Sequence, residues 1–356
     1  SGSVRGDGEV IGIAVAVEGW SGYFPINHEG GGNMDRALVL DWFEEVLQTT
    51  ATKIFHNAMY DVSWIRSMGF YINGGIIDTM IAASLCNENR WSYTLDSVAK
   101  EYIGVGKSEK LLIEAAKEWG INPKAEMWRL PAPLVGEYAE QDAVITLKLW
   151  AAMQHEIEKQ DLWDVFNLET NLFPCLVDMK FKGVRVDIDK AEQTKKSLLV
   201  SEKQMHQDIK KLAGFDVEIW AAASIAKAFD EVKLPYDRTE KGAPSFTKNF
   251  LATHPHELPK LINQAREVNK ASTTFIDTIL KHNHKGRIHS DINQIRSDDG
   301  GTVTGRFSYS NPNLQQIPAR HKELGPMIRS LFIPEEGTKW GCFDYSQQEP
   351  RILVHF

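Results

Sequence analysis

The chain has 356 residues, room for two or three domains at roughly 150 residues each, with a sizeable core. Its 42% apolar and 25% charged residues exclude a disordered or fibrous chain. The net charge of −8 excludes a wholly basic nucleic-acid coat, but it is unevenly spread: residues 1–160 carry 22 acidic and 13 basic side chains, whereas 281–329 carry eight basic and four acidic ones. The longest apolar run, near residues 10–17, is far shorter than the ~20 residues of a spanning helix, so no membrane partner is expected. No signal peptide is read, and Cys86, Cys175 and Cys342 share no metal-type spacing. A reducing, cytoplasmic setting is expected.

In chain order, Glu9–Val17 and 22–27 predict a hairpin with its turn at Trp20-Ser21-Gly22. Residues 38–48 predict a helix, 53–55 a short strand, and 58–68 a second helix. Further helical patterns cover 77–85, 95–103 and 131–159. This mixture predicts an α/β layer. From Asp161 the pattern turns to long helices, 161–182 and 188–213, the latter with Ala191, Leu198, Met205, Ile209 and Leu212 on one stripe. Residues 216–259 are loop-rich and 261–281 helical. Strand signals return after Gly286, and 339–343 predicts a strand ending at Asp344.

Two carboxylates stand on apolar stripes. Val135, Tyr138, Asp142, Ile145 and Leu149 share one helix face, as do Ala58, Asp61, Ile65 and Met68. A buried carboxylate is costly unless paired or metal-bound. A divalent-cation site is one solution; an Asp that caps a neighbouring helix or pairs with an Arg is the other. Asn57 at the strand-to-helix turn fits either a helix cap or a substrate contact.

These residues carry a resemblance. His56-Asn57-Ala58-Met59-Tyr60-Asp61 and Tyr138-Ala139-Glu140-Gln141-Asp142 resemble the second and third motifs of proofreading 3′–5′ exonucleases. The resemblance implies an RNase H-like domain in which Asp142 binds Mg²⁺, Asp61 assists a second ion and Tyr138 orients the attacking water. The family's first motif, an Asp-x-Glu on a strand, has no counterpart before Glu9; Asp7 and Glu9 do not fit it.

Thr304-Gly305-Arg306 with Asn311-Pro312-Asn313-Leu314-Gln315-Gln316-Ile317-Pro318 closely resembles a signature of family A DNA polymerases, the class of bacterial DNA polymerase I and many phage enzymes. Asp344-Tyr345-Ser346-Gln347-Gln348-Glu349-Pro350-Arg351 resembles the first palm motif, with Pro350 in place of the usual Leu. Pro is tolerated in a first helical turn. The resemblance implies a metal-binding Asp344, with Glu349 and Arg351 beside it in the active centre. It also implies that Asn57, Gln294, Arg306, Asn313 and Gln315 touch DNA. The implied architecture is an α/β, RNase H-like exonuclease domain over 1–160, incomplete at its N-terminus. A helical thumb over 161–282 and the opening strands of a polymerase palm over 283–356 follow. The implied partners are primer-template DNA and deoxynucleoside triphosphates; no processivity factor is identified. Lys190, Lys195, Lys196, Lys203, Lys210 and Lys211 lie on the thumb helix and fit either a phosphate track or a solvated face.

Two other readings are a stand-alone exonuclease and a non-catalytic duplex-binding clamp; the polymerase strings count against the first. A carboxylate–cation contact at ~4 Å and ε ≈ 20 is worth roughly 4 kcal/mol, so lacking the Asp-x-Glu pair is severe. The chain as written is therefore expected to be a very poor exonuclease. Without the fingers helix and second palm Asp, it is expected to extend no primer alone. Gel assays of 3′-end degradation and of single-nucleotide incorporation check both outcomes.

Overall fold

The computed structural model describes residues 4–6, 8–298, 300–319 and 321–356. Asp7, set aside above as a first-motif acid, lies outside them. The chain divides into two compact units, Ser1–Lys182 with Ser290–Asn313, and Gly183–His289 with Leu314–Phe356.

The first unit opens on a hairpin of β1 (Gly12–Val17) and β2 (Trp20–Pro25), with Val17 opposite Trp20. Its turn is Glu18-Gly19 rather than Trp20-Ser21-Gly22. A two-residue loop needs positive φ, and Gly19 supplies it at 79°. Asp35 caps α1 (Arg36–Gln48) by accepting from Leu38 N at 3.0 Å. Strand β3 (Lys53–Phe55) leads through Asn57 into α2 (Ala58–Ser67). β4 (Ile76–Asp78) lies parallel to β3, and α3 (Thr79–Cys86) follows at once. The expected single helix over 77–85 is thus a strand and a helix, divided where the Asp78 side chain caps α3.

Next come α4 (Leu95–Ile103), α5 (Lys110–Glu118), α6 (Ala132–Lys159) and α7 (Trp163–Lys182). α5 was not anticipated; it buries Leu112, Ala115 and Ala116. α6 packs against β1, β2, β3 and α4. Ile145, Leu149 and Met153 of α6 are buried with Val62, Ile81 and Val98, while Ile13, Phe43, Leu47 and Ile65 form a second core. Burying side chains of this kind contributes about 1.5–3 kcal/mol each, which fixes α6 and α2 as rigid supports.

The second unit begins with β5 (Val184–Arg185) and α8 (Ile188–Ala213), whose predicted stripe buries Ala191, Leu198 and Ile209. α9 (Ala222–Glu231) is followed by a hairpin of β6 (Asp237–Arg238) and β7 (Pro244–Ser245), then α10 (Lys248–Thr253). α11 (Glu257–Lys270) continues through a π-helical stretch, Ala271–Ile276, into α12 (Asp277–Lys281). β8 (Asn283–His284) and β9 (Arg287–Ile288) join β5 in a three-stranded sheet, order β5-β9-β8.

The chain then returns to the first unit as an antiparallel pair, β10 (Asp291–Asn293) and β11 (Ser308–Ser310). Ile295 joins the α6 core, and Ser84 Oγ donates to Arg296 O at 2.7 Å. These contacts make compactness cut across the boundaries expected at 160 and 282: α7 and 290–313 both belong with the first unit. α13 (Leu324–Arg329) and α14 (Gln348–His355) lie in the second unit. The expected strand over 339–343 is not formed. A strand requires a neighbour to take its backbone hydrogen bonds, and among the described residues this segment has none. Among those residues, no helix is long and apolar enough to cross a membrane.

Asp78 is the most connected capping residue. It accepts from Asn57 N (3.0 Å), Ala58 N (2.8 Å) and Met80 N (2.8 Å), so one buried carboxylate starts two helices. Replacing it with Ala strands those donors. Asp78→Ala should cost about 2–3 kcal/mol in urea unfolding, and Asp78→Asn less; an equal cost for the two would refute the capping role.

Candidate active site

The candidate site is built on α2 and α6, which share one core cluster. Asn57 precedes α2 with left-handed backbone (φ 66°) and makes no side-chain cap. The cap alternative considered for Asn57 is therefore filled by Asp78. This leaves the Asn57 side chain outside the capping role, at a strained position of the kind that clusters at functional sites. One turn on, Asp61 lies near enough to Asp142 for the two charges to interact. Burial, then the charges of Asp78 and Asp142, push its carboxyl up to about 7. Burial likewise pushes Asp78 up to about 6, against the pull of its backbone donors.

On α6, Asp142 Oδ2 accepts from Lys107 Nζ at 2.6 Å. Lys107 Nζ also lies 3.4 Å from Tyr138 Oη and 5.2 Å from the Tyr138 ring centroid. Asp142 Oδ1 is buried and has no hydrogen-bond partner among the described residues. Burial pushes Asp142 up while Lys107 and Tyr138 pull it back. Tyr138 is pushed above the ordinary phenol range by burial and by Asp142, so it stands as a protonated hydroxyl. The pairing alternative for Asp142 is thus half realised, by a Lys rather than an Arg, and one carboxylate oxygen remains bare.

Around this centre, His56 is held between Thr79 Oγ1 (2.8 Å) and Tyr93 O (2.7 Å), and burial lowers it to about 4, so it is neutral. Glu140 accepts from Ser21 Oγ at 3.1 Å. Glu9 is exposed and engaged by Asn27 and by Arg36 at 3.9 Å, away from any first-motif role. The hard oxygens of Asp61 and Asp142, with Asp142 Oδ1 buried and unsatisfied, suit a divalent cation. Among the described residues, no group of three or more His, Cys, Asp or Glu side chains stands at metal-binding spacing.

The remaining predicted residues lie elsewhere. Arg306 and Asn313 are exposed in the first unit, where the β10–β11 pair is tied by Asn311 Nδ2 to Asp291 Oδ2 at 3.0 Å. Gln315 is exposed in the second unit. Gln294, expected at the DNA surface, is instead buried, its amide donating to Glu169 O at 2.7 Å and to the Glu169 carboxylate. A donor spent on α7 does not present itself to solvent. Asp344, Glu349 and Arg351 are exposed, in a segment where every residue from Glu336 to Phe356 is exposed. Pro350 sits in the first turn of α14, as expected. On α8, Lys195 pairs with Asp277 (2.6 Å), Lys210 with Asp216 (2.7 Å) and Lys211 with Asp208 (2.8 Å). Lys196 and Lys203 are exposed and in no ion pair among the described residues.

Residues 188–356 match the family model for DNA polymerase family A, and residues 3–158 match that for 3′–5′ exonuclease. Residues 188–356 thus belong to the family A DNA polymerases. It is 36% identical to a DNA-directed DNA polymerase of Pseudomonas phage M6, over 99% of this chain and 55% of that protein. It is 33% identical to DNA polymerase DpoZ of Acinetobacter phage SH-Ab 15497, over 88% and 55%. Identity to DNA polymerase I of Pseudomonas aeruginosa is 29%, over 98% and 39%. The chain thus spans about half the length of the curated relatives it matches, or less. A solved structure of the polymerase domain of Pol1 from M. smegmatis, in complex with DNA primer-template and dNTP, shares the fold. The TM-score is 0.74 over 97% of this chain and 56% of that one, at 23% identity.

Two residues of this candidate site escaped the sequence reading. Asp78 carried a signal, since an Asp directly before a helix is a capping position. Lys107 carried none, because its partner lies 35 positions away.

The sign of the Asp61 shift gives a test. A carboxyl whose folded pKa lies above its unfolded value burdens the fold only once ionised. The burden is absent below about pH 4 and complete above about pH 7. Asp61→Asn should therefore stabilise the chain by about 1–3 kcal/mol at pH 8 in EDTA and have no effect at pH 4. Urea unfolding at both values checks this; a gain independent of pH would contradict it.

Proposed function

We propose that the α2–α6 site is a 3′–5′ exonuclease centre and that residues 183–356 contribute to primer-template binding and to the polymerase centre of a longer enzyme. The observation that carries the first half is a bare, buried Asp142 oxygen beside Tyr138, with Asp61 near enough to feel the Asp142 charge. Family membership and the two long motif strings support the second half. We assign thumb to the helical part of the second unit and palm to the segments bearing Arg306, Gln315 and Asp344.

The ion we assign is Mg²⁺, held by Asp61 and Asp142 in one centre and by Asp344 in the other. When bound, such ions lower the pKa of water and neutralise charge on attacking and leaving oxygens. The chain's own residues do the rest. The Tyr138 hydroxyl, kept protonated by its surroundings, can fix a water by hydrogen bonding. Asn57, freed from capping, can donate to a terminal nucleotide. Arg306 and Gln315 offer donors to minor-groove acceptors, which are nearly the same for every base pair, so they sense pair shape rather than identity. Glu349 and Arg351, in the first turns of α14, lie close in sequence to Asp344, and we place all three at the primer end. The substrates we assign are primer-template DNA and deoxynucleoside triphosphates. The phage and bacterial relatives support a bacterial cytoplasm as the place of action.

Fluorescence anisotropy with a labelled primer-template tests the DNA half. Arg306→Ala should weaken binding several-fold, and affinity should fall steeply between 50 and 200 mM salt. Salt-independent binding that ignores Arg306 would overturn the assignment. For the exonuclease centre, Mn²⁺ should raise the thermal midpoint of the chain, and Asp142→Asn should abolish the rise.

A further inference from the structure

The loop between α4 and α5 delivers a cation to the candidate site. Gly104 ends α4 with left-handed backbone (φ 66°). Gly106 passes so close to α4 that a Cβ there would meet Asp96 Oδ1 at 2.8 Å. Two hydrogen bonds then latch the loop. Lys107 N donates to Asp96 Oδ1 at 2.8 Å, and Ser108 N donates to Gln141 Oε1 at 2.9 Å. Gln141 adjoins Asp142, so the second latch lies on the same turn of α6 as the site. Held this way, the Lys107 ammonium meets Asp142 Oδ2 at 2.6 Å and Tyr138 Oη at 3.4 Å. Its side chain is only 16% exposed. A surface lysine rarely gives up this much solvent for one partner; here backbone latches on both sides hold it in place.

We propose that Lys107 is a tethered counter-ion of Asp142: a positioning residue that fixes this carboxylate and the Tyr138 hydroxyl, and that competes with a divalent cation for the site. The inference rests on the cation-site reading above, but its effect falls on ion occupancy rather than on phosphate chemistry. One ammonium compensates one buried carboxylate when no ion is bound. The same positive charge repels an incoming divalent ion. Lys107 therefore sets how much free cation is needed before the site fills.

The test is Mn²⁺ titration of the 356-residue chain, with free Mn²⁺ read by electron paramagnetic resonance. Lys107→Met and Lys107→Gln should each bind Mn²⁺ at least about ten-fold more tightly than the parent chain. Lys107→Arg, which keeps the charge, should stay near the parent value. In an Asp142→Asn background, Lys107→Gln should change nothing. Circular dichroism verifies that each variant is folded. The proposal is overturned if both neutral variants leave affinity unchanged or lower it, or if the gain persists in the Asp142→Asn background. If Asp142→Asn binds Mn²⁺ as well as the parent chain, the cation-site reading itself fails. If Asp142→Asn loses Mn²⁺ while the neutral Lys107 variants match the parent, the Lys107 inference alone fails.

Discussion

The Asp78 carboxylate is the constraint from which the site geometry follows. It receives Asn57 N and Ala58 N at the mouth of α2 and Met80 N at the mouth of α3. Strands β3 and β4 are only three residues long each, and their parallel pairing alone is a weak clamp. The buried carboxylate joins the ends of both strands to both helices. It thereby fixes the turn at which Asp61 enters, and its charge is the largest influence raising the Asp61 carboxyl after burial itself. The same group that builds the scaffold thus shapes the chemistry of its neighbour.

The opposing wall depends on α6. Its apolar residues bury against β1, β2 and α4, so Tyr138 and Asp142 are carried at a fixed height along a rigid helix rather than on a loop. A 28-residue helix gains this rigidity from packing rather than from propensity. A latched loop then completes the site by bringing in Lys107.

Much of this was legible in the sequence, and the divide has a physical cause. Periodicity found α6 and α8 because each buries one continuous stripe, and it placed Asp61 and Asp142 on inward faces because a carboxylate interrupting an apolar run stands out. It merged β4 with α3 because three apolar residues before a helix carry no period of their own. It misplaced the hairpin turn by weighing Trp20-Ser21-Gly22 above Glu18-Gly19, whereas the positive φ needed in a two-residue loop falls on Gly19. Lys107 was invisible, since an ion pair spanning 35 positions leaves no local pattern. Gln294 was read from likeness to a motif, but its burial against Glu169 depends on a tertiary contact across 125 positions. The unit boundaries were hidden for the same reason. Residues 290–313 follow 183–289 in sequence yet share their core with α6.

A balance of charge connects these observations. Three carboxyls, of Asp61, Asp78 and Asp142, are pushed upward by burial, and one ammonium, of Lys107, faces Asp142. Backbone donors account for Asp78, and Lys107 accounts for half of Asp142. Asp61 has only its own backbone N–H against its burial, and the second Asp142 oxygen has no partner among the described residues. Selection for stability alone would replace such a pair with apolar residues of similar volume, which commonly leaves stability equal or better. The cation proposed above would account for a pair of this kind, set on two helices and backed by a tyrosine hydroxyl. The placement of Lys107 follows the same logic. A site strong enough to hold a divalent ion would be unstable while empty, and a lysine that can give way moderates that instability.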